Sequence, residues 1–289
     1  MVIAKVERVD FGDKVLPPQF KITFSSDTPT KPIAGHRFVD LLGKNPYVNR
    51  TDLLLDLYGL KFVPKNVYME LGQTLEKYVI NYKFPNNTVM RFEYEDYKDC
   101  KSGAFNLDDE DIGGLPDGIV VEDNTLIEIK CTTAKFKGFK EEWKLQAQFY
   151  AYWWNKKMAK DTGVKVKNIK IIKYYVPKEI INAHLKEPSW IIGKNVSVLV
   201  CDLETREISK LITKARKEKK QLVEDSSIIV DEFGNENLFF QLKKAINKKN
   251  LQIEYNKEDL ETKKFVSKIY KTKTSVRKQK KKKGLKKIW

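Results

Sequence analysis

Apolar residues recur along the chain with two periods, and the points where one gives way to the other divide it into elements. Between Asn66 and Tyr82, the positions Tyr68, Leu71, Leu75, Tyr78, Val79 and Tyr82 keep helical spacing, which predicts a helix with Asn66 as its cap. A second helix is expected from Lys140 to Met158. Phe38 to Leu60 reads as two helices joined by the turn Gly43-Lys-Asn-Pro46. Alternation predicts a short strand after the Pro17-Pro18 break, and others over Thr88–Tyr94, Val166–Val176 and Val196–Asp202. Gly118–Val121 and Thr125–Cys131 flank Glu122-Asp-Asn124, which predicts a hairpin. After Glu204 the pattern reads as helical and strongly charged up to about Lys271.

These elements imply an α/β fold with a mixed central β-sheet flanked by helices and a functional site at one sheet edge. The expected division is a domain over residues 1–205 that includes a mixed helical and strand N-terminal segment. A charged, mainly helical extension covers 206–270, and a basic tail covers 271–289. That tail holds ten Lys/Arg and no acid. It should be disordered when free and serve as a DNA-binding arm, because bound cations release counterions from nucleic acid.

The predicted hairpin carries the candidate chemistry. Residues two apart on a strand share a face, so Glu128 and Lys130 point one way and Ile127, Ile129 and Cys131 the other. With the turn centred between Glu122 and Asp123, Asp117 falls opposite Glu128, with β-carbons about 5 Å apart. Two like charges so placed repel, and a bound divalent cation would remove that penalty. Hard carboxylate oxygens suit Mg²⁺ or Mn²⁺ rather than zinc. A lysine beside such an ion completes a set suited to phosphoryl chemistry.

Composition narrows the choices. The formal charge is +16, with 55 basic against 39 acidic residues, which points to a polyanionic partner. Only seven of the basic residues are arginine, favouring point-charge contacts with phosphates over bidentate base reading. Three scattered cysteines, Cys100, Cys131 and Cys201, fit neither a disulfide framework nor a zinc site. Two histidines, His36 and His184, give little support to a Ser-His-Asp mechanism, and His36 reads as structural. The run Asp108-Asp-Glu-Asp111 lacks calcium-loop spacing and reads as a solvated loop. No membrane-spanning run or secretory signal is seen, so a soluble, cytoplasmic protein is expected.

The segments Gly114-Leu-Pro-Asp-Gly-Ile-Val-Val and Leu126-Ile-Glu-Ile-Lys-Cys131 resemble the PD-(D/E)XK nuclease core, in particular that of the phage lambda exonuclease and YqaJ-like viral recombinase group. Met69-Glu-Leu-Gly-Gln-Thr-Leu-Glu76 resembles the helix upstream of that core. Trp143-Lys-Leu-Gln-Ala-Gln-Phe-Tyr150 resembles the helix downstream, where RecB-like nucleases carry a Q-x-x-x-Y signal. The resemblance implies a restriction-endonuclease-like fold. It implies Asp117 and Glu128 as metal ligands, with the Ile129 carbonyl and Glu76 beside them, and Lys130 as the catalytic lysine. Gln146 and Tyr150 match the helix motif. Gln148 and Tyr152 share the same spacing about 200° away on that helix. The apolar stripe of Trp143, Ala147, Tyr150, Ala151, Trp154 and Met158 favours Gln146 and Tyr150, leaving Gln148, Tyr152 and Asn155 as the expected polar side. Some relatives carry a four-cysteine iron–sulfur cluster; three scattered cysteines cannot supply it, so none is expected.

The activity implied is metal-dependent hydrolysis of DNA, most simply by an exonuclease acting on duplex ends in phage-type or mobile-element recombination, within a bacterial or phage-host cell. DNA is the implied partner, as duplex ends or single strand. A homo-oligomer and a single-strand annealing protein partner are compatible with it. Two rivals stand beside this reading: a site- or structure-specific endonuclease, and an inactive nuclease fold that only binds nucleic acid.

Overall fold

The computed structural model describes residues 1–10, 17–63, 66–91, 112–186, 195–231 and 236–273. Cys100, the acidic run 108–111 and most of the basic tail lie outside these residues, as does the side chain of His184. The chain divides into two compact units. One comprises Thr30–Gly59 and Val63–Asp225; the other comprises Met1–Pro29, Leu60–Phe62 and Ser226–Trp289.

The larger unit begins with helices α1 (Gly35–Leu41), α2 (Arg50–Leu57) and α3 (Val67–Lys83). Asn66 caps α3 as expected, its side chain accepting from the backbone N–H groups of Tyr68 and Met69 at 3.0 Å each. The sheet consists of β3 (Val89–Met90), β4 (Gly118–Val120), β5 (Thr125–Thr132), β6 (Asn168–Tyr175) and β7 (Val196–Asp202), in that spatial order. It is mixed: β5 and β6 run parallel, and the remaining pairs are antiparallel. Parallel neighbours need a crossover, and α4 (Glu141–Lys157) with the short α5 (Ala159–Thr162) lies between them. A 3₁₀ turn at Lys178–Ile180 leads into α6 (Ile181–Lys186), and α7 (Thr205–Glu224) follows β7.

Helices cover both faces of this sheet. On one side Leu71, Leu75, Val79 and Ile80 of α3 pack with Ile127, Ile129, Ile172 and Tyr174 in a continuous apolar core. On the other side α4 meets β5 and β6 and is itself met by α1 and α7. A helix packed on so many sides buries more than one stripe, and Phe149 and Trp153 are buried along with Tyr150 and Trp154. The expected polar side is therefore packed as well. Gln148 donates to the Asp202 carbonyl at 2.8 Å and accepts from the Glu204 N–H at 2.9 Å. Asn155 holds both backbone groups of Val166 at 2.7 Å. These amides clamp chain turns to α4.

The smaller unit departs from the expected outline. Its sheet has the order β8-β2-β1-β9, built from β1 (Val2–Val9), β2 (Gln19–Phe24), β8 (Ser227–Asp231) and β9 (Leu251–Tyr255). The first residues of the chain therefore pair with its last third, so the division does not follow the expected boundary at 205. Within 206–270 two strands that were not expected alternate with the helices α7, α8 (Glu236–Asn247) and α9 (Leu260–Lys271). Val2, Ala4 and Val6 point inward and alternate with exposed Ile3, Lys5 and Glu7. Phe20 stacks on Phe265 with ring centroids 4.2 Å apart, tying α9 to the sheet.

Gln241 of α8 is buried and grips an isolated stretch of backbone. Its Oε1 accepts from the Phe62 N–H at 2.5 Å and its Nε2 donates to the Phe62 carbonyl at 3.0 Å. Gln241→Leu strands both groups, at a cost of about 1–3 kcal/mol each where they stay dry. Urea denaturation should show lower stability, with faster amide exchange at Phe62; unchanged exchange there would refute the clamp.

Candidate active site

The hairpin of β4 and β5 forms with the expected register, pairing Gly118 with Ile127, Ile119 with Leu126 and Val120 with Thr125. Asn124 closes its turn at φ 51°, a conformation asparagine tolerates. The register sets Asp117, just ahead of β4, against Glu128 on β5. The strand carrying Glu128 and Lys130 is the middle one of five, not an edge strand. This corrects the expected position and explains the burial found there.

Glu128 is only 1% exposed. Its Oε1 accepts from the Lys130 ammonium at 2.5 Å. Its Oε2 is buried without a hydrogen-bond partner. Asp117 turns to the backbone, Oδ2 accepting from the Ile129 N–H at 2.6 Å. Lys130 donates also to Gln146 Oε1 at 3.0 Å, and Gln146 Nε2 donates to the Tyr150 hydroxyl at 3.3 Å. One chain of contacts thus runs from Glu128 through Lys130 and Gln146 to Tyr150, joining β5 to α4. The rival pair, Gln148 and Tyr152, lies elsewhere: Gln148 at the end of β7, and Tyr152 near Ser209 at 3.4 Å.

Glycine makes room for this arrangement. A β-carbon at Gly35 or at Gly114 would collide with the Tyr150 ring, so the ring sits against two bare stretches of backbone. At Gly118 a β-carbon would come within 2.9 Å of Val89 Cγ1. Gly114 and Gly118 of the Gly-Leu-Pro-Asp-Gly segment therefore each have a steric reason.

Glu76 projects from α3 and lies 3.9 Å from Arg91. The charges influence one another. Burial pushes the Glu128 carboxyl up to about 8, and repulsion from Asp117 and Glu76 adds to this against the pull of Lys130. Burial and Asp117 push Glu76 up to about 7, with Arg91 and Lys130 opposing. Asp117 is likewise raised by burial, opposed by Lys130 and by the Ile129 N–H. Burial alone would lower the Lys130 ammonium, but Glu128, Asp117 and Glu76 outweigh it and hold it above the usual value. Burial also pushes the Cys131 thiol up to about 12, which leaves it no nucleophile.

These groups fit a hard divalent ion. The donors are carboxylate oxygens, one of them dry and unpartnered, and their mutual repulsion is what such an ion would relieve. Among the described residues no three His, Cys, Asp or Glu side chains already close round a common point. Lys130 and retained protons balance the carboxylates instead.

Arg91 was not singled out from the sequence, although it is one of only seven arginines. Nothing in its local pattern places it beside Glu76. His36, read as structural, lies 3.4 Å from Asp56, which also accepts from Arg37 at 2.6 Å. Among the described residues no helix is long and apolar enough to cross a membrane.

No protein-family model and no curated protein matches the chain. Among solved structures it is similar to LHK-Exo in complex with dAMP, at 18% identity and a TM-score of 0.42, over 69% of this chain and 92% of that one. It is similar also to an alkaline exonuclease, LHK-Exo from Laribacter hongkongensis, at 17% identity and 0.41, over 68% and 91%. A phage related exonuclease from Haemophilus somnus 129PT shows 13% identity and 0.42, over 69% and 98%. At these identities and scores the likeness assigns no activity, and the site is read from its own residues.

Proposed function

We propose that the chain is a metal-dependent DNA nuclease of the PD-(D/E)XK type. One observation carries the reading: a buried glutamate with a dry, unpartnered oxygen, coupled to two further carboxylates and bound to a lysine. A carboxylate in that position costs several kcal/mol unless it is compensated. No core needs such a group, whereas phosphoryl chemistry does. Asp117 and Glu128 would hold Mg²⁺ or Mn²⁺, with Glu76 and the Ile129 carbonyl as further ligands. When bound, the ion polarises the scissile phosphate and lowers the pKa of a bound water.

The chain's own groups do the rest. Lys130 presents a fixed positive charge towards negative charge developing on the phosphate. Gln146 holds the ammonium from α4, and Tyr150 holds Gln146. Burial raises the Tyr150 phenol beyond its ordinary range, so it stays neutral and acts as a positioning group rather than a base. The substrate is DNA, with exonuclease action on duplex ends in phage-type or mobile-element recombination as the working assignment. The excess of 55 basic over 39 acidic residues supports a polyanionic substrate.

End-labelled linear DNA and closed circular plasmid, with Mg²⁺, Mn²⁺ or EDTA, test this reading. Degradation from ends alone, abolished by EDTA, is expected. Nicking of the circle would make the enzyme an endonuclease, and no cleavage with either metal would leave a binding module. Asp117→Asn and Lys130→Met should each lower cleavage at least about a hundredfold while low-salt DNA binding persists; near-normal cutting would refute the site.

The raised carboxyls also fix a pH dependence. Metal-free folded protein keeps protons on Glu76 and Glu128 up to about 7 and about 8, whereas the unfolded chain loses them near 4.5. The folded state binds more protons in that window, so this contribution to stability falls as pH rises through it. The Tm of metal-free protein should decline from pH 5.5 to 8.5, less so in Glu128→Gln, and Mg²⁺ should restore it at pH 8.5. Identical profiles for the two proteins would contradict the assignment.

A further inference from the structure

Lys173 of β6 stands directly beside Lys130 in the parallel register, so both side chains leave the same face of the sheet. It is only 7% exposed, and its ammonium is held by backbone carbonyls. Its ammonium donates to the carbonyls of Phe136 at 3.0 Å and Gly138 at 2.9 Å. It also lies 4.7 Å from the ring centroid of Phe136 and 5.2 Å from that of Phe139. Phe136 in turn leans on Trp143, with centroids 5.6 Å apart. The segment 133–140, which follows the Glu128–Lys130 strand, is thus wrapped round a buried cation. Gly138, at φ 77°, permits the turn.

Carbonyls and ring faces offset the hydration that Lys173 loses, but they carry no net charge to cancel its own. The acids at the end of the loop are engaged: Glu141 lies 3.1 Å from Lys44, and Glu142 lies 3.3 Å from Lys140. Among the described residues no carboxylate forms an ion pair with Lys135, Lys137 or Lys173. Lys135 and Lys137 are exposed on the loop's surface. A fold that buries a cation to hold two more in solvent, next to a carboxylate site, is built for a negatively charged chain rather than for a small apolar ligand.

We propose that the loop 133–140 carries the phosphate backbone of the nucleic-acid strand into the Asp117–Glu128–Lys130 site. Lys135 and Lys137 contact phosphates, and Lys173 is the positioning residue that holds the loop. The assignment rests on the nuclease reading for what lies at the end of the path, but the loop's binding of nucleic acid is measured separately.

The experiment uses the full chain without metal, with a short labelled duplex titrated across a range of salt concentrations. Lys135→Ala/Lys137→Ala should weaken binding about tenfold near physiological salt. It should also flatten the slope of log K against log salt by about 1.8, the loss of two phosphate contacts on a duplex. Lys173→Met should flatten the slope similarly although Lys173 is buried, and Lys173→Arg should recover part of it. A merely structural lysine would lower Tm and leave the slope alone. If Lys173→Met fails to fold, the double variant, altered only at exposed positions, still decides. Wild-type affinity and slope in that variant overturn the proposal and leave an acidic protein partner as the occupant. The nuclease reading fails independently if wild-type protein with Mg²⁺ or Mn²⁺ leaves bis(4-nitrophenyl) phosphate intact, since that ester is too small to reach along the loop.

Discussion

The site is governed by one electrostatic constraint: a carboxylate has been taken out of water in the middle of a sheet. Glu128 sits on the central strand, with α4 over its face, so water cannot reach both of its oxygens. Desolvation of a charge costs a fold on the order of several kcal/mol. Lys130 answers part of it, two residues along the same face, at 2.5 Å. Its answer is incomplete, because Asp117 and Glu76 add further negative charge to the same region. The remainder is met by protons, or by a cation from outside. Proton uptake, the stability of this part of the fold and the ion binding proposed above would therefore draw on a single balance.

Keeping Lys130 in place is the task of the surrounding packing. A lysine ammonium on a flexible stem has many rotamers, and one carboxylate contact does not select among them. Gln146 supplies the second contact, and the Tyr150 hydroxyl orients Gln146 in turn. Tyr150 itself is fixed by sterics, its ring lying against Gly35 and Gly114. Gly114 also belongs to the segment that delivers Asp117. The same few residues thus place an acid and lock the lysine's partner, which ties α4 to the hairpin through contact rather than through sequence proximity.

Much of this was legible in order along the chain. The hairpin register followed from the turn position, the spans of α3 and α4 followed from spacing, and the cap of α3 followed from the asparagine at position 66. Choosing Gln146 over Gln148 followed from the apolar stripe, and the structure brings Gln146 to Lys130. The reading of the polar side of α4 was incomplete, since amides that look solvent-facing can instead satisfy buried backbone, as Gln148 and Asn155 do. The smaller unit was misread for a different reason. Leu251-Gln-Ile-Glu-Tyr255 alternates cleanly, yet it is short and lies between strongly charged helical stretches. Its partner, β1, is more than two hundred residues away, and no local signal announces such a pairing.

What the sequence by itself determined is local: the periods, the turn at Asn124, and the chemical identity of two acids and a lysine at spacings that a strand and a hairpin convert into neighbours. Those follow because backbone geometry repeats every two or 3.6 residues. Only the tertiary structure decided that the strand is central, and burial from both faces is what raises the Glu128 carboxyl and leaves one of its oxygens dry. It alone brought Arg91 to the acids, turned Lys173 into the core of a loop, and joined the two ends of the chain in one sheet. Desolvation and charge coupling depend on what surrounds a group in space, and that surrounding comes from residues far apart in the sequence.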